Sequence, residues 1–200
     1  LTVSLAGAEN AYPLWVYPVL WPVCPPQVHE CRRLDQAALD ALAAGGTVYL
    51  APDSTKEALP NSIQAQFSTD FWSVGTFAGQ EGGMGQLMDA AHPLFAGFPT
   101  ETHSNWQWWP MASQRAMILP RRMQAIVTEM DSYAYLRPMA KLLECRCQGG
   151  RLMISSMGLH NLQQYPEARA LQQAIYAYLR TPGQVPEQEL TVDEVRALVR

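Results

Sequence analysis

The sequence predicts an α/β domain with a mainly parallel central sheet between helices. Three features carry that reading. A helix-patterned run ends on Gly45-Gly46 and passes straight into the strand-like Thr47-Val48-Tyr49-Leu50-Ala51. A proline-bounded apolar run at 13–18 can supply a buried parallel neighbour. A long amphipathic helix pattern at 166–180 follows a hairpin signal. Of 200 residues, 48% are hydrophobic and 16% charged, which suffices for one sizeable core and argues against intrinsic disorder.

Residues 2–6 alternate, Val3 and Leu5 against Thr2, Ser4 and Ala6, and predict a short strand. The run 13–18 predicts a second strand, apolar on both faces, and the prolines within 19–26 an irregular connection. A helix is expected over 35–44, with Leu34, Ala38, Leu39 and Leu42 inward, and a strand over 47–51. With the 13–18 strand as first member, these form a right-handed βαβ unit. The polar turn Ala51-Pro52-Asp53-Ser54-Thr55 then leaves the carboxyl end of a strand, where open α/β sheets place ligands.

Between residues 60 and 110 periodicity is weak and aromatics abound: Phe67, Phe71, Trp72, Phe77, Phe95, Phe98, Trp106, Trp108 and Trp109. A short helix pattern covers 86–91, and Gly82 to Gly85, His92-Pro93 and Gly97-Phe98-Pro99 mark turns. Strands are expected at 125–129 and 141–147, with a tight turn at 148–150 and a returning strand at 151–155. The helix at 166–180 carries Pro166 in its first turn. A Pro/Gly linker at 181–186 leads to a last helix, where Thr191 and Glu194 form a capping box and Val195, Leu198 and Val199 an apolar face.

Charge narrows the function classes. Lys plus Arg number 14 and Asp plus Glu 18, giving a net charge of −4 with no basic block, so no nucleic acid and no membrane is expected as partner. No apolar run approaches the ~20 residues that span a bilayer. Cys24, Cys31, Cys145 and Cys147 match neither zinc-knuckle nor CxxC spacing and read as small apolar side chains, with a disulfide among them left open. A start at Leu1, already in strand-like sequence, is expected of a piece of a longer chain.

Candidate chemistry is sparse. No GxxxxGK[ST] or strand-flanked GxGxxG appears, so no cofactor is expected. No GxSxG elbow appears either, since Gly75-Thr76-Phe77-Ala78-Gly79 carries Phe77 where a nucleophile would stand. Ser54 is the hydroxyl in a comparable place, and a surface-turn serine is the favoured reading of it. Asp89-x-x-His92 and Glu101-x-His103 offer four metal-ligand types, though proximity in sequence makes no coordination sphere. His103, Asn105, Trp106, Trp108 and Trp109 combine flat rings with imidazole and amide, the chemistry of a sugar site, although packing of the loop's own interior is the favoured use of such indoles. If extended, Trp106 and Trp108 would share a face, with Trp109 opposite.

The run HPLFAGFPTETHSNWQWW at 92–109, with LWVYP at 14–18, LDQAALDALAAGGTVYLAP at 34–52 and DFWSVGTF at 70–77, resembles a C-terminal domain of some family 2 glycoside hydrolases of the β-galactosidase type. That domain is similar to class I glutamine amidotransferases and to ThuA-like proteins of sugar metabolism. The likeness spans about 14–178, and 92–109 is its specific part. It implies a flavodoxin-like three-layer sandwich at 11–182, preceded at 1–10 by the terminal strand of a β-sandwich module and followed at 183–200 by a linker and helix. It does not imply amidotransferase chemistry. By order along the chain Asp53 and Ser54 fall near the elbow, with no cysteine there, and His160 falls near the histidine position, with Glu167 seven residues on, leaving Asp53, Ser54 and His160 as vestigial-site candidates. The paired carboxylates of the hydrolase belong to a barrel of ~250 residues that is absent from this sequence.

The expected role is therefore a non-catalytic accessory domain. It would support the other modules of a glycoside hydrolase chain and contact saccharide through His103, Asn105, Trp106, Trp108 and Trp109. The parent enzymes are often exported, to periplasm or medium. Two competing expectations are a self-sufficient hydrolase, using Ser54 and His160 or a metal on Asp89, His92, Glu101 and His103, and a purely structural module that joins copies into a homo-oligomer.

Overall fold

The structure is a computed structural model that describes residues 1–19, 21–67, 81–182 and 186–200. Phe71, Trp72, Phe77, the Gly75 to Gly79 spacing and the DFWSVGTF run lie outside the described residues.

Ala6 and Gly7 both take positive φ, the two-residue turn that matches strand twist, and so Thr2–Leu5 (β1) pairs antiparallel with Ala8–Ala11 (β2). This hairpin is a separate two-stranded sheet, exposed along its whole length. The strand expected at 13–18 is not formed: Pro13 and Pro18 cannot donate to a ladder, and Leu14 and Val16 face solvent. Only Tyr17 reaches the core, stacked on Phe98 with ring centroids 6.0 Å apart.

The first strand of the main sheet is instead Val28–Cys31 (β3). Its polar middle, His29 and Glu30, hides it from a hydrophobic pattern. Glu30 is satisfied there by the Arg32 guanidinium at 2.8 Å and the Tyr176 hydroxyl at 2.7 Å. Asp35 caps Gln36–Ala43 (α1) by accepting the Ala38 N–H, and Ala38, Leu39 and Leu42 form its buried face. Gly45 then supplies the left-handed exit into Thr47–Leu50 (β4). Next come Ser62–Gln64 (β5) and Gln86–Met88 (β6). The latter is a strand where a short helix is expected, because its three residues pair antiparallel with residues 127–129 and the chain turns only after Asp89. A 3-10 turn at Pro93–Gly97 is capped by His92, and a second, at Trp106–Trp108, runs into Trp109–Ala112 (α2).

Arg115–Ile118 (β7), Val127–Glu129 (β8), Met139–Cys147 (β9) and Gly150–Ser155 (β10) complete the sheet, and Gln148-Gly149 is the positive-φ turn between the last two. A 3-10 turn at Leu159–Asn161 leads to Pro166–Arg180 (α3), and the Thr191–Glu194 capping box opens Val192–Leu198 (α4) as the sequence predicts.

The molecule is a mixed α/β structure whose sheet is only partly parallel. β3, β4 and β10 run parallel, and β9, β7, β5, β8 and β6 join by antiparallel pairings. This corrects the expected mainly parallel sheet. The long β9 organises the change: Leu142 faces Ser155 on one side and Val127 on the other, and Ala140 faces Met117 and Thr128. β10 and β7 therefore follow one another along one edge of β9 while β8 takes the opposite edge. Alternation sends Tyr49, Met153 and Leu142 into a core with α3 and the Phe95–Phe98–Trp108 aromatics. It sends Val48, Leu50, Leu152, Ile154, Leu143 and Cys145 into a second core with α1 and α4.

All four cysteines are free, and Cys145 and Cys147 share a face of β9 in the second core. Burial pushes the Cys31 and Cys145 thiols up to about 12, so they behave as apolar side chains.

Candidate functional site

The carboxyl ends of the parallel strands β4 and β10 carry the turns that hold Asp53, Ser54 and His160, and the structure brings these together. Gly158 has φ 56°, and a Cβ there would lie 3.1 Å from the Ser54 nitrogen, so the two loops touch through a glycine. His160 Nε2 is 2.7 Å from Asp53 Oδ1, which also accepts the Asn161 amide at 2.8 Å. These bonds from His160 and Asn161 hold the Asp53 carboxyl below its usual range. The other ring nitrogen, His160 Nδ1, is buried without a hydrogen-bond partner. Ser54 Oγ accepts the Arg115 backbone N–H at 2.8 Å, and among the described residues no hydrogen bond joins it to His160. With Nε2 turned to Asp53 and Nδ1 closed off, the imidazole has no free face toward the hydroxyl. Glu167 lies apart, in the first turn of α3.

The metal-ligand candidates stay in two pairs. Asp89 and His92 line a cavity of about 830 Å3 with Glu144 and Tyr178. His92 Nε2 is 4.0 Å from Glu144 Oε2, Nδ1 accepts the Leu94 N–H, and burial lowers the imidazole's pKa despite the acids nearby. Glu101 and His103 are on the surface, 3.8 Å apart. No group of three or more metal-ligating side chains forms among the described residues.

The aromatic segment is divided by its backbone. Because residues 106–108 are a 3-10 turn and Trp109 opens α2, Trp106 and Trp109, three apart, share a face. Trp108 points the other way. This corrects the extended-chain expectation that paired Trp106 with Trp108. Trp108 is fully buried between Phe95 and Phe98, and its indole N–H donates to Thr100 Oγ1 at 2.8 Å. Trp106 and Trp109 are 65% and 51% exposed, with centroids 5.5 Å apart and planes tilted by 38°. Phe67 supports both, at 5.0 and 5.1 Å. Sequence reasoning named Phe67 among the aromatics but did not join it to this group; nothing local links it across forty residues.

Polar groups flank the rings. Asn105 caps the turn by accepting the Gln107 N–H at 3.0 Å and donates its amide to Glu101 at 2.8 Å. His103 stands beside Glu101, tied to the sheet by a bridge to Leu87. The result is an exposed aromatic surface with an amide, a carboxylate and an imidazole close by in the chain.

A family model described as "Domain of unknown function (DUF8487)" matches residues 29–200, from β3 to the last residue. No curated protein matches the chain.

Proposed function

Because the chain belongs to that family of domains, DUF8487, whose function is unassigned, we propose from its geometry that it is a non-catalytic accessory domain that contacts saccharide and packs against other modules of a glycoside hydrolase chain. The carrying observation is the exposed Trp106–Trp109 pair on its Phe67 support, with Asn105, Glu101 and His103 at the rim. Indole faces cover the C–H surface of a pyranose, and the rim groups donate and accept for its hydroxyls. Trp108 has no part in this contact.

The arrangement at Asp53, Ser54 and His160 supports a supporting role over a hydrolytic one. The serine and the imidazole are each engaged elsewhere. The N-terminal arm supports docking: Leu1, Val3, Leu5, Leu14 and Val16 are all exposed, and an isolated two-stranded hairpin is marginal in water. On this reading the fold is a variant of the flavodoxin-like three-layer sandwich found in amidotransferase-like and ThuA-like domains. The parallel β3–β4–β10 core and the helices against both faces favour it.

The test is a fluorescence or calorimetric titration with a panel of β-galacto- and β-gluco-oligosaccharides. A shallow two-indole surface gives dissociation constants on the order of 1 mM. Trp106→Ala and Trp109→Ala should abolish binding with the thermal midpoint nearly unchanged. Aryl glycosides and glutamine should show no turnover. Saturable hydrolysis that disappears in Ser54→Ala or His160→Ala would replace this reading with an enzymatic one.

A further inference from the structure

A second concavity, next to the first across Gln124 and Gln188, has the form of a ligand site. It is a groove of about 1110 Å3 between the segment Leu119 to Gln124 and the loop Met130 to Met139. Its apolar lining includes Leu87, Leu119, Met123, Met130 and Leu136, and the unbranched methionines can adapt to an occupant's shape. Leu87, Met130 and Leu136 are left exposed, Leu136 at 76%.

Leu136 is held there against its own preference. Its φ is 52°, in the left-handed region where a leucine is disfavoured. The loop is fixed by Asp131, whose Oδ2 accepts the Arg137 backbone N–H at 2.8 Å and Nε at 2.7 Å. Its Oδ1 accepts the Ser132 N–H at 2.8 Å and Arg137 Nη2 at 3.0 Å. Burial pushes the Asp131 carboxyl up, but these donors win and hold it below the usual range. A rigid cage thus keeps a strained apolar side chain at the rim of an apolar groove.

Charge decides what the groove can take. Of its charged lining residues, Asp131 and Arg137 neutralise each other, and Glu129 is 3.0 Å from Lys141 with both side chains fully buried. The adjacent Arg121 is tied to Glu194 and to the Glu189 carbonyl. Arg122 alone has no hydrogen-bond or ion-pair partner among the described residues, and it is exposed. One unpaired guanidinium beside an apolar trough calls for a single anion on an apolar body.

We infer that this groove binds an anionic amphiphile, a carboxylate or sulfonate on an aliphatic or aryl body, with the anion on Arg122 and the body against Leu87, Met130 and Leu136. The Leu87–His103 bridge links the groove to the rim of the indole surface, but the groove lining includes neither Trp106 nor Trp109, so variants at Arg122 and at the two indoles read the two sites apart.

The probe is 1-anilinonaphthalene-8-sulfonate, followed by fluorescence, with decanoate and neutral decanol as competitors. The expected result is one saturable site, displaced by decanoate at lower concentration than by decanol. Arg122→Gln should weaken it about tenfold and Arg122→Lys should retain most of it. Leu136→Gly should weaken it several-fold while the thermal midpoint holds or rises, since glycine accepts that φ. Trp106→Ala should leave it unchanged. No saturable site below about 1 mM, or binding indifferent to Arg122→Gln, overturns the inference.

Discussion

Trp108 and Trp109 are neighbours in the chain with opposite surroundings. Trp108 fills the core and hydrogen-bonds Thr100, so Trp108→Ala should lose about 3–5 kcal/mol in chemical denaturation. Trp106→Ala and Trp109→Ala, whose rings are largely in water, should each lose less than about 1 kcal/mol. Equal losses at all three positions would place the exposed pair in the core as well. The buried Glu129–Lys141 pair gives a second expectation. Burial pushes the Glu129 carboxyl up and the Lys141 ammonium down, each against the pull of its partner. Lys141 also donates to Gln86 and to the Ala112 carbonyl. Lys141→Met leaves a carboxylate buried without its cation and should cost about 3–5 kcal/mol, while Glu129→Gln with Lys141→Met should recover most of that. A double variant no more stable than the single would show that the pair has no coupling.

The β9–β10 hairpin meets α1 at Gly150. A Cβ there would lie 2.6 Å from the Leu42 carbonyl oxygen and 2.9 Å from that of Gly46, both backbone atoms that cannot swing aside. Gly150→Ala should therefore lower stability by about 3 kcal/mol. Gly149→Ala, at φ 87° with open space around it, should cost only about 1 kcal/mol. A reversed order in thermal unfolding would contradict this packing. α1, β4, the β9–β10 hairpin, α3 and α4 were legible because each carries both a periodicity and a stop or cap. The region before α1 misled for a physical reason. Leu14 to Val16 is apolar and β-prone but flanked by prolines that cannot pair, while β3 has a polar middle whose Glu30 is satisfied by Arg32 and by Tyr176 from a distant helix. The indole pair was half legible. Composition named the residues, but which ones share a face depends on a 3-10 turn set by the Asn105 cap, and period-two reasoning assigned the wrong partner.

Across the molecule, the β1–β2 hairpin contributes no residue to either core. The match starts at residue 29, and the β1–β2 hairpin is exposed along its length. Removing residues 1–12 should shift the thermal midpoint by less than about 2 °C, since almost no burial is lost. A drop of about 10 °C would make the hairpin part of the core. α4 is different: Val195 and Leu198 lie in the same cluster as Leu42 and Leu152, so the C-terminal helix belongs to the unit it follows. The proposed accessory role depends on the indole surface being a contact for sugar. The most direct measurement is a 1H–15N spectrum of the six tryptophan indoles during addition of an oligosaccharide. Sugar contact at this surface predicts that the Trp106 and Trp109 signals shift together and saturate while Trp108 stays in place. Signals from Trp106 and Trp109 that do not move at about 20 mM ligand, well above the weakest useful affinity, would contradict it.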